Sequence, residues 1–223
     1  MLIDKRRRRD QIVSLFHDGQ TVMVGGFAFH GVPFNLIDCA LESGAKHLTL
    51  IALDASPIEL IRNGRADKVI LSHSGSVPEN LALIASGQFE VEFCPMGTLA
   101  ERMRAGGSGL GGVLVKTGMG TSAQEGRRLI EVEGETYILE TALKADLSLV
   151  RAYAADPYGN LTYKGAARNS NPYVAMAGDI TIVEPDALID VEMRRPEDIV
   201  TPGIFVNYVL NEEKGDGSDV TGE

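Results

Sequence analysis

Between Asp18 and Pro33 the chain runs from a buried-strand pattern straight into a glycine turn, and no other stretch restricts the fold as much. Thr21-Val22-Met23-Val24 is a short apolar, largely β-branched run bounded by turn residues, the pattern of a parallel strand covered on both faces. Gly25-Gly26 ends it. Two glycines permit positive φ and close approach by another backbone or a ligand, and Pro33 suits the first turn of a following helix. A ligand would then sit at the carboxyl end of the strand. The same residues also suit a tight strand-to-helix turn that binds nothing. Two nucleotide motifs are excluded. The run contains no Gly-x-Gly-x-x-Gly, and after Gly31 come Val32-Pro33 rather than the Lys-Ser/Thr of a phosphate-binding loop.

Down the chain, strand and helix patterns alternate, which predicts an α/β fold with a mostly parallel sheet and covering helices. Strands are expected at Thr21–Val24, 48–53, 68–71, Glu90–Phe93, Gly112–Val115, 147–151, 180–183 and 204–206. The clearest helix covers 34–42, where Leu36, Ile37, Ala40 and Leu41 share a face and Ser43-Gly44 supplies the stop. Pro78-Glu79 opens another, with proline at its first position and an acid in its first turn. Residues 130–140 alternate around Glu133-Gly134-Glu135, the pattern of a β-hairpin. With no internal repeat or linker, residues 1–210 read as one domain with a hairpin elaboration.

A chain of 223 residues can bury a sizeable core. Its net charge of −10 argues against general nucleic-acid binding, which needs a basic face. Part of that charge lies in residues 211–223, where Glu212, Glu213, Asp216, Asp219 and Glu223 outnumber Lys214; this stretch reads as an acidic, disordered tail. Cys39 and Cys94 lack Cys-x-x-Cys spacing and read as buried thiols of a reducing cytoplasm. His17, His30, His47 and His73 show no metal-ligand spacing, and no metal is expected. Only His30, within the glycine turn, has a functional claim, against a plain turn-filling role. The basic run Lys5-Arg6-Arg7-Arg8-Arg9 reads as a solvated face at the start of a first helix. The apolar group after it is too short for a secretory segment or a membrane span.

Taken whole, the run from Asp18 to Pro33 resembles the first signature of the family I coenzyme A transferases: Asp-Gly, a spacer, three apolar residues, then Gly-Gly-Phe-x-x-x-Gly-x-Pro. The resemblance continues in order through Pro95-Met96-Gly97-Thr98-Leu99-Ala100-Glu101-Arg102, Arg104-Ala105-Gly106-Gly107-Ser108-Gly109, Thr117-Gly118-Met119-Gly120-Thr121, Gly159-Asn160-Leu161-Thr162-Tyr163, Ala167-Arg168-Asn169-Ser170-Asn171-Pro172 and Thr201-Pro202-Gly203-Ile204. It spans roughly residues 10 to 210 and matches the α subunits of acetate/acetoacetate and 3-oxoacid CoA-transferases. It implies a CoA-transferase fold of the ribose-5-phosphate isomerase-like type.

The chemistry implied by that resemblance is ping-pong transfer of CoA between carboxylic acids. A glutamate carboxylate attacks the acyl-CoA thioester, the acid leaves, and a glutamyl-CoA thioester awaits the second acid. In the family that glutamate belongs to the β subunit, so this chain is expected to hold no catalytic residue and to work in a heterodimer, assembled further into a heterotetramer or larger. Glu79, Glu101, Glu125 and Glu184 lack the turn context of a nucleophile and read as structural. No permanently bound cofactor, nucleic acid or membrane is implied; the CoA thioester is substrate and small carboxylic acids are its partners. Gly25, Gly26, Phe27, Gly31, Met96, Gly97 and Thr98 are the implied pocket, with Arg102, Arg104 and Arg168 as candidate anion contacts.

This chain departs from the family pattern twice. The family carries a glutamine where Met96 stands, as donor to the thioester oxyanion, and a thioether cannot donate a hydrogen bond. Either backbone N–H groups near Gly97 or a β-subunit donor replaces it, or the substrates and geometry differ. The family's longer Asn/Gly-rich loop is shortened at 51–57. Two alternatives accompany the transferase reading: a sugar-phosphate isomerase, which shares the general fold, and a non-catalytic CoA- or acyl-binding partner subunit.

Overall fold

The computed structural model describes residues 3–193 and 195–211; apart from Asn211, the expected acidic tail lies outside them. In chain order the elements are β1 (Arg6–Arg7), α1 (Arg9–Val13), β2 (Thr21–Val24), α2 (Phe34–Ser43), β3 (Leu48–Ala52), α3 (Ile58–Arg62), β4 (Ala66–Leu71), α4 (Pro78–Ile84) and β5 (Glu90–Phe93). Then follow α5 (Met96–Gly107), β6 (Gly112–Val115), β7 (Arg128–Val132), β8 (Glu135–Thr141), β9 (Ala145–Ala155), β10 (Leu161–Thr162), α6 (Asn171–Ala177), β11 (Gly178–Leu188) and β12 (Tyr208–Leu210).

The main sheet has the order β1-β12-β11-β9-β2-β3-β4-β5, and every neighbouring pair along it is parallel; β10 adds antiparallel to β9. Successive side chains leave opposite faces of a strand. Val22, Val24, Leu50 and Leu149 accordingly pack with Ile12, Leu36, Ala40, Leu60 and Ile84 of α1 to α4 on one face. Met23, Ile51, Val150 and Val183 pack with Leu99 and Met103 of α5 and Val174 and Ala175 of α6 on the other. Cys39 and Cys94 are buried and not joined in a disulfide, one on each face.

From β2 the chain winds outward through β3, β4 and β5, whereas β9, β11 and β12 lie on the opposite side of β2. The order therefore reverses between β2 and β9, and all carboxyl ends share one edge. In open parallel sheets the crevice at such a reversal is where ligands bind. Gly25 stands there, continuing the ladder by donating its N–H to Leu149 O at 2.8 Å.

The expected hairpin is present, turned by Glu133 (φ 53°) and Gly134 (φ 78°), and with β6 it forms a separate antiparallel sheet, β6-β8-β7. Two expectations need correction. The basic run opens the first helix only at its end: Arg6 and Arg7 instead form a strand paired with Val209 and Leu210, and the helix starts at Arg9 with Arg8 before it. The expected strand at 204–206 is a tight 3-10 turn at Gly203–Phe205, with the strand displaced to β12. Gly203 permits the close approach of the turn to Tyr158, since a Cβ there would lie 2.3 Å from Tyr158 O, and Ile204 is left 86 % exposed.

Candidate active site at the carboxyl edge

The glycine turn is moulded by a distant polar segment. A Cβ on Gly25 would lie 2.1 Å from Asn171 Oδ1, and one on Gly31 would lie 2.3 Å from Ala167 O. Gly26 has φ +100°, and a Cβ on it would meet Val32 Cγ2 at 2.6 Å. Asn171, fully buried at the start of α6, donates from Nδ2 to Gly31 O and Ala167 O, both at 2.9 Å, while its Oδ1 accepts from Arg151 N at 3.0 Å. Buried Ser170 accepts from Gly26 N at 3.2 Å, and Asn169 Nδ2 donates to His30 O at 2.8 Å. Asn169, Ser170 and Asn171 thus satisfy backbone groups that a ligand-facing loop would otherwise leave unpaired. The sequence marks them as part of a motif shared with the family it resembles but gives them no role; their burial is what reveals it.

The tip of the turn is a two-residue reversal. Phe27 and His30 exchange both backbone hydrogen bonds, at 3.1 and 2.9 Å. Ala28 (φ 49°) and Phe29 (φ 71°) between them occupy the left-handed region, which costs roughly 1–2 kcal/mol for each non-glycine residue. Asp54, two residues past β3, anchors the reversal by accepting from Ala28 N at 2.7 Å and holds its own loop through Ser56 N at 3.0 Å. Phe29 stands 77 % exposed above it, and half-buried Phe27 packs onto the α5–α6 face of the core. The fold uses the carbonyl of His30; its side chain lies on the exposed surface of the turn.

Beneath the tip is a cavity of about 330 Å³ between the turn, α2, the 54–59 loop and the 73–80 segment. Met96, Gly97 and Thr98 are not on its wall. They form the first turn of α5, which follows β5 and packs through Leu99 and Met103 on the sheet face of Met23 and Val150. Met96 is 39 % exposed and Gly97 has no atom within 4 Å of where a Cβ would stand. Thr98 is buried with its Oγ1 unpartnered.

Arg102 is corrected as an anion contact. It is 3 % exposed and engaged by Glu92 (2.9 Å), Thr141 O (2.8 Å) and Glu140 (3.6 Å), tying α5 and β5 to the antiparallel sheet. Arg104 pairs with Glu101 at 2.7 Å, and Arg168 is exposed. Among the four glutamates weighed above, Glu184 is buried and accepts from Asn35 N (2.9 Å) and Leu36 N (3.3 Å), the unpaired first-turn donors of α2. Glu79 lies in the exposed first turn of α4, and Glu125 ends a 3-10 turn.

The sequence profile of the family described as "Coenzyme A transferase" matches residues 7–212. The chain belongs to the coenzyme A transferase family. This CoA-transferase chain is 48 % identical over 200 residues to "Acetate CoA-transferase subunit alpha" of Escherichia coli K12, covering 87 % of the chain and 91 % of the relative. It is 42 % identical over 210 residues to "Acetoacetyl-CoA:acetate/butyrate CoA transferase alpha subunit" of Clostridium acetobutylicum, covering 92 % and 96 %. In fold it matches glutaconate CoA-transferase from Acidaminococcus fermentans with a TM-score of 0.80 at 21 % identity, over 91 % of this chain and 73 % of that one. No described helix of this CoA-transferase is long and apolar enough to cross a membrane.

Proposed function

We propose that this chain is the α subunit of a cytoplasmic CoA-transferase that moves CoA between an acyl-CoA and a short-chain carboxylate or 3-oxoacid. A glutamate of a β subunit is the nucleophile, and residues 1–210 act as one domain walling the site. The carrying observation is the glycine turn at the sheet reversal, whose inward backbone groups are satisfied by Asn169–Asn171 while its tip stays open to solvent. It is a rigid wall awaiting its opposite half, because the four glutamates weighed here are an exposed helix-start residue, an ion-pair partner, a turn end and a helix cap. The subunit names of its relatives support a paired assembly.

On this reading the β-subunit carboxylate adds to the thioester carbonyl and CoA thiolate is expelled. The thiolate then adds to the glutamyl carbonyl of the resulting anhydride, releasing the first acid as carboxylate and leaving glutamyl-CoA. Each tetrahedral anion needs preorganised donors. In place of the glutamine that Met96 replaces, the first-turn N–H groups of α5 at Met96 and Gly97 supply them, since Pro95 gives no side-chain cap and Gly97 leaves the approach clear. Phe27 excludes water from the thioester, Thr98 supports that turn, and exposed Arg168 meets an anionic part of CoA. Co-expression with a β subunit followed by a CoA-exchange assay tests the division of labour: the complex transfers CoA and the isolated chain does not. Turnover by the isolated chain overturns it.

A further inference from the structure

Ala28 and Phe29 fill a turn that ordinarily takes other residues. A two-residue reversal with positive φ at both central positions favours Asn-Gly or Asp-Gly, because most side chains crowd their own backbone there. Phe29 nonetheless has φ 71°, and a bulky residue in the left-handed region is an outlier. Its ring gains little burial in return, being 77 % exposed. The backbone beneath it is held from several sides: Asp54 accepts from Ala28 N, Asn169 donates to His30 O, and Phe27 and His30 exchange both of their backbone bonds. Strain that the surroundings hold in place clusters at functional positions. Here it stands one phenylalanine clear of the surface at the carboxyl edge of the sheet.

Phe29 belongs to a larger apolar surface. Phe34 at the start of α2 (41 % exposed) and Val77 before α4 (42 %) line the same cavity as Phe29, and Leu81 (41 %) follows Val77 by one helical turn. At about 200 Å² for a fully exposed phenylalanine and somewhat less for valine and leucine, the four side chains present roughly 350 Å² of apolar surface beside the glycine turn. An exposed patch of that size marks a contact site. It is close to half of the ~800 Å² that one partner buries in a standard interface, enough for the water-free centre of one.

We infer that Phe29 is the anchor by which this chain docks to its β subunit, the ring entering a pocket on that subunit with Phe34, Val77 and Leu81 packed around it; this rests on the transferase reading above. A subunit that brings its glutamate to the glycine turn must close over the edge from which Phe29 projects. A ring already fixed in one orientation loses little freedom on docking, which is what the anchored strain supplies. Aromatic side chains buried at the centre of an interface carry much of its affinity.

The test measures the dissociation constant of the α–β complex with the full chain as wild type, Phe29→Ala and Phe29→Gly, the Tm of each free chain, and the kinetics of each complex. Both substitutions are expected to weaken association at least tenfold, and the activity per α subunit climbs back toward wild type as subunit concentration is raised. Neither lowers the Tm of the free chain, because the ring is exposed and glycine relieves the left-handed φ. Unaltered association with a raised KM for acyl-CoA would assign the ring to the substrate, and unaltered association with unaltered kinetics would make it scaffold; either overturns the inference and leaves the transferase reading standing. If the substitutions weaken association but the wild-type complex transfers no CoA, the docking stands and the transferase reading falls. If the wild-type chain binds no β subunit, both fall.

Discussion

The carboxamide of Asn171 fills the space that a side chain on Gly25 would take: its Oδ1 stands 2.1 Å from the position of a Cβ there. The same carboxamide accepts from Arg151 N and donates to two carbonyls, so it needs both an oxygen and an NH2. Asn171→Asp keeps the shape and the acceptor but turns two donors into a buried anion facing Gly31 O and Ala167 O. A buried polar group left unpaired costs about 1–3 kcal/mol, more when charged. Urea denaturation is expected to show a loss of at least about 2 kcal/mol at pH 7, smaller at pH 5, where the protonated carboxyl can donate to one carbonyl. An unchanged midpoint at both pH values would remove Asn171 from the mould.

Gly26 faces a different restriction, combining φ +100° with Val32 Cα 2.8 Å from any added Cβ. Gly26→Val is expected to abolish CoA transfer by the complex while both subunits stay soluble. The backbone strain of about 1–2 kcal/mol is one that a domain survives and a shaped wall does not. Wild-type kcat in this variant would reduce the turn to scaffold.

How much of this was legible beforehand differs between backbone and site. The bounds of β2, β5 and β6 can be read from apolar runs bracketed by turn residues, because their signal is local. β9 and β11 run 11 residues each, well past the expected 147–151 and 180–183, because Ala152, Ala154, Ala155 and Glu184-Pro185-Asp186 carry little strand propensity and are held by pairing between the two strands. At the site, the glycines announce a turn, whereas the residues that mould it lie some 140 positions away and contact its backbone through side chains. Periodicity carries no trace of such contacts. Nor does it distinguish Arg102, buried in an ion cluster, from exposed Arg168.

That cluster predicts acid sensitivity. Burial pushes the Glu92 carboxyl up, but hydrogen bonds from Arg102 (2.9 Å) and Arg127 (2.7 Å) outweigh it and hold the group at about 2, against an ordinary 4.5. A carboxylate depressed in the folded state contributes stability that is complete above its unfolded value and drains away as pH falls from about 4.5 toward 2. The contribution is at most about 3 kcal/mol. In urea titrations, the stability advantage of wild type over Glu92→Gln is expected to hold from pH 7 to pH 5 and to shrink steadily below. A difference independent of pH down to 3 would mean that Glu92 titrates normally.

Met96 offers the most direct reading of the proposed oxyanion wall. It is 39 % exposed in the first turn of α5 and absent from the cavity under the glycine turn, so a glutamine there buries no unpaired amide. Its new N–H2 would reach toward the donors already offered by the α5 backbone. An added donor aimed at a developing oxyanion acts on the transition state rather than on substrate binding. Met96→Gln in the complex is therefore expected to raise kcat by up to about tenfold, short of the 10²–10³ that a fully preorganised donor supplies. The ranking of acetate, butyrate, acetoacetate and succinate stays unchanged. A changed ranking would place residue 96 against the acyl chain, and an unchanged kcat would move the oxyanion away from α5 altogether.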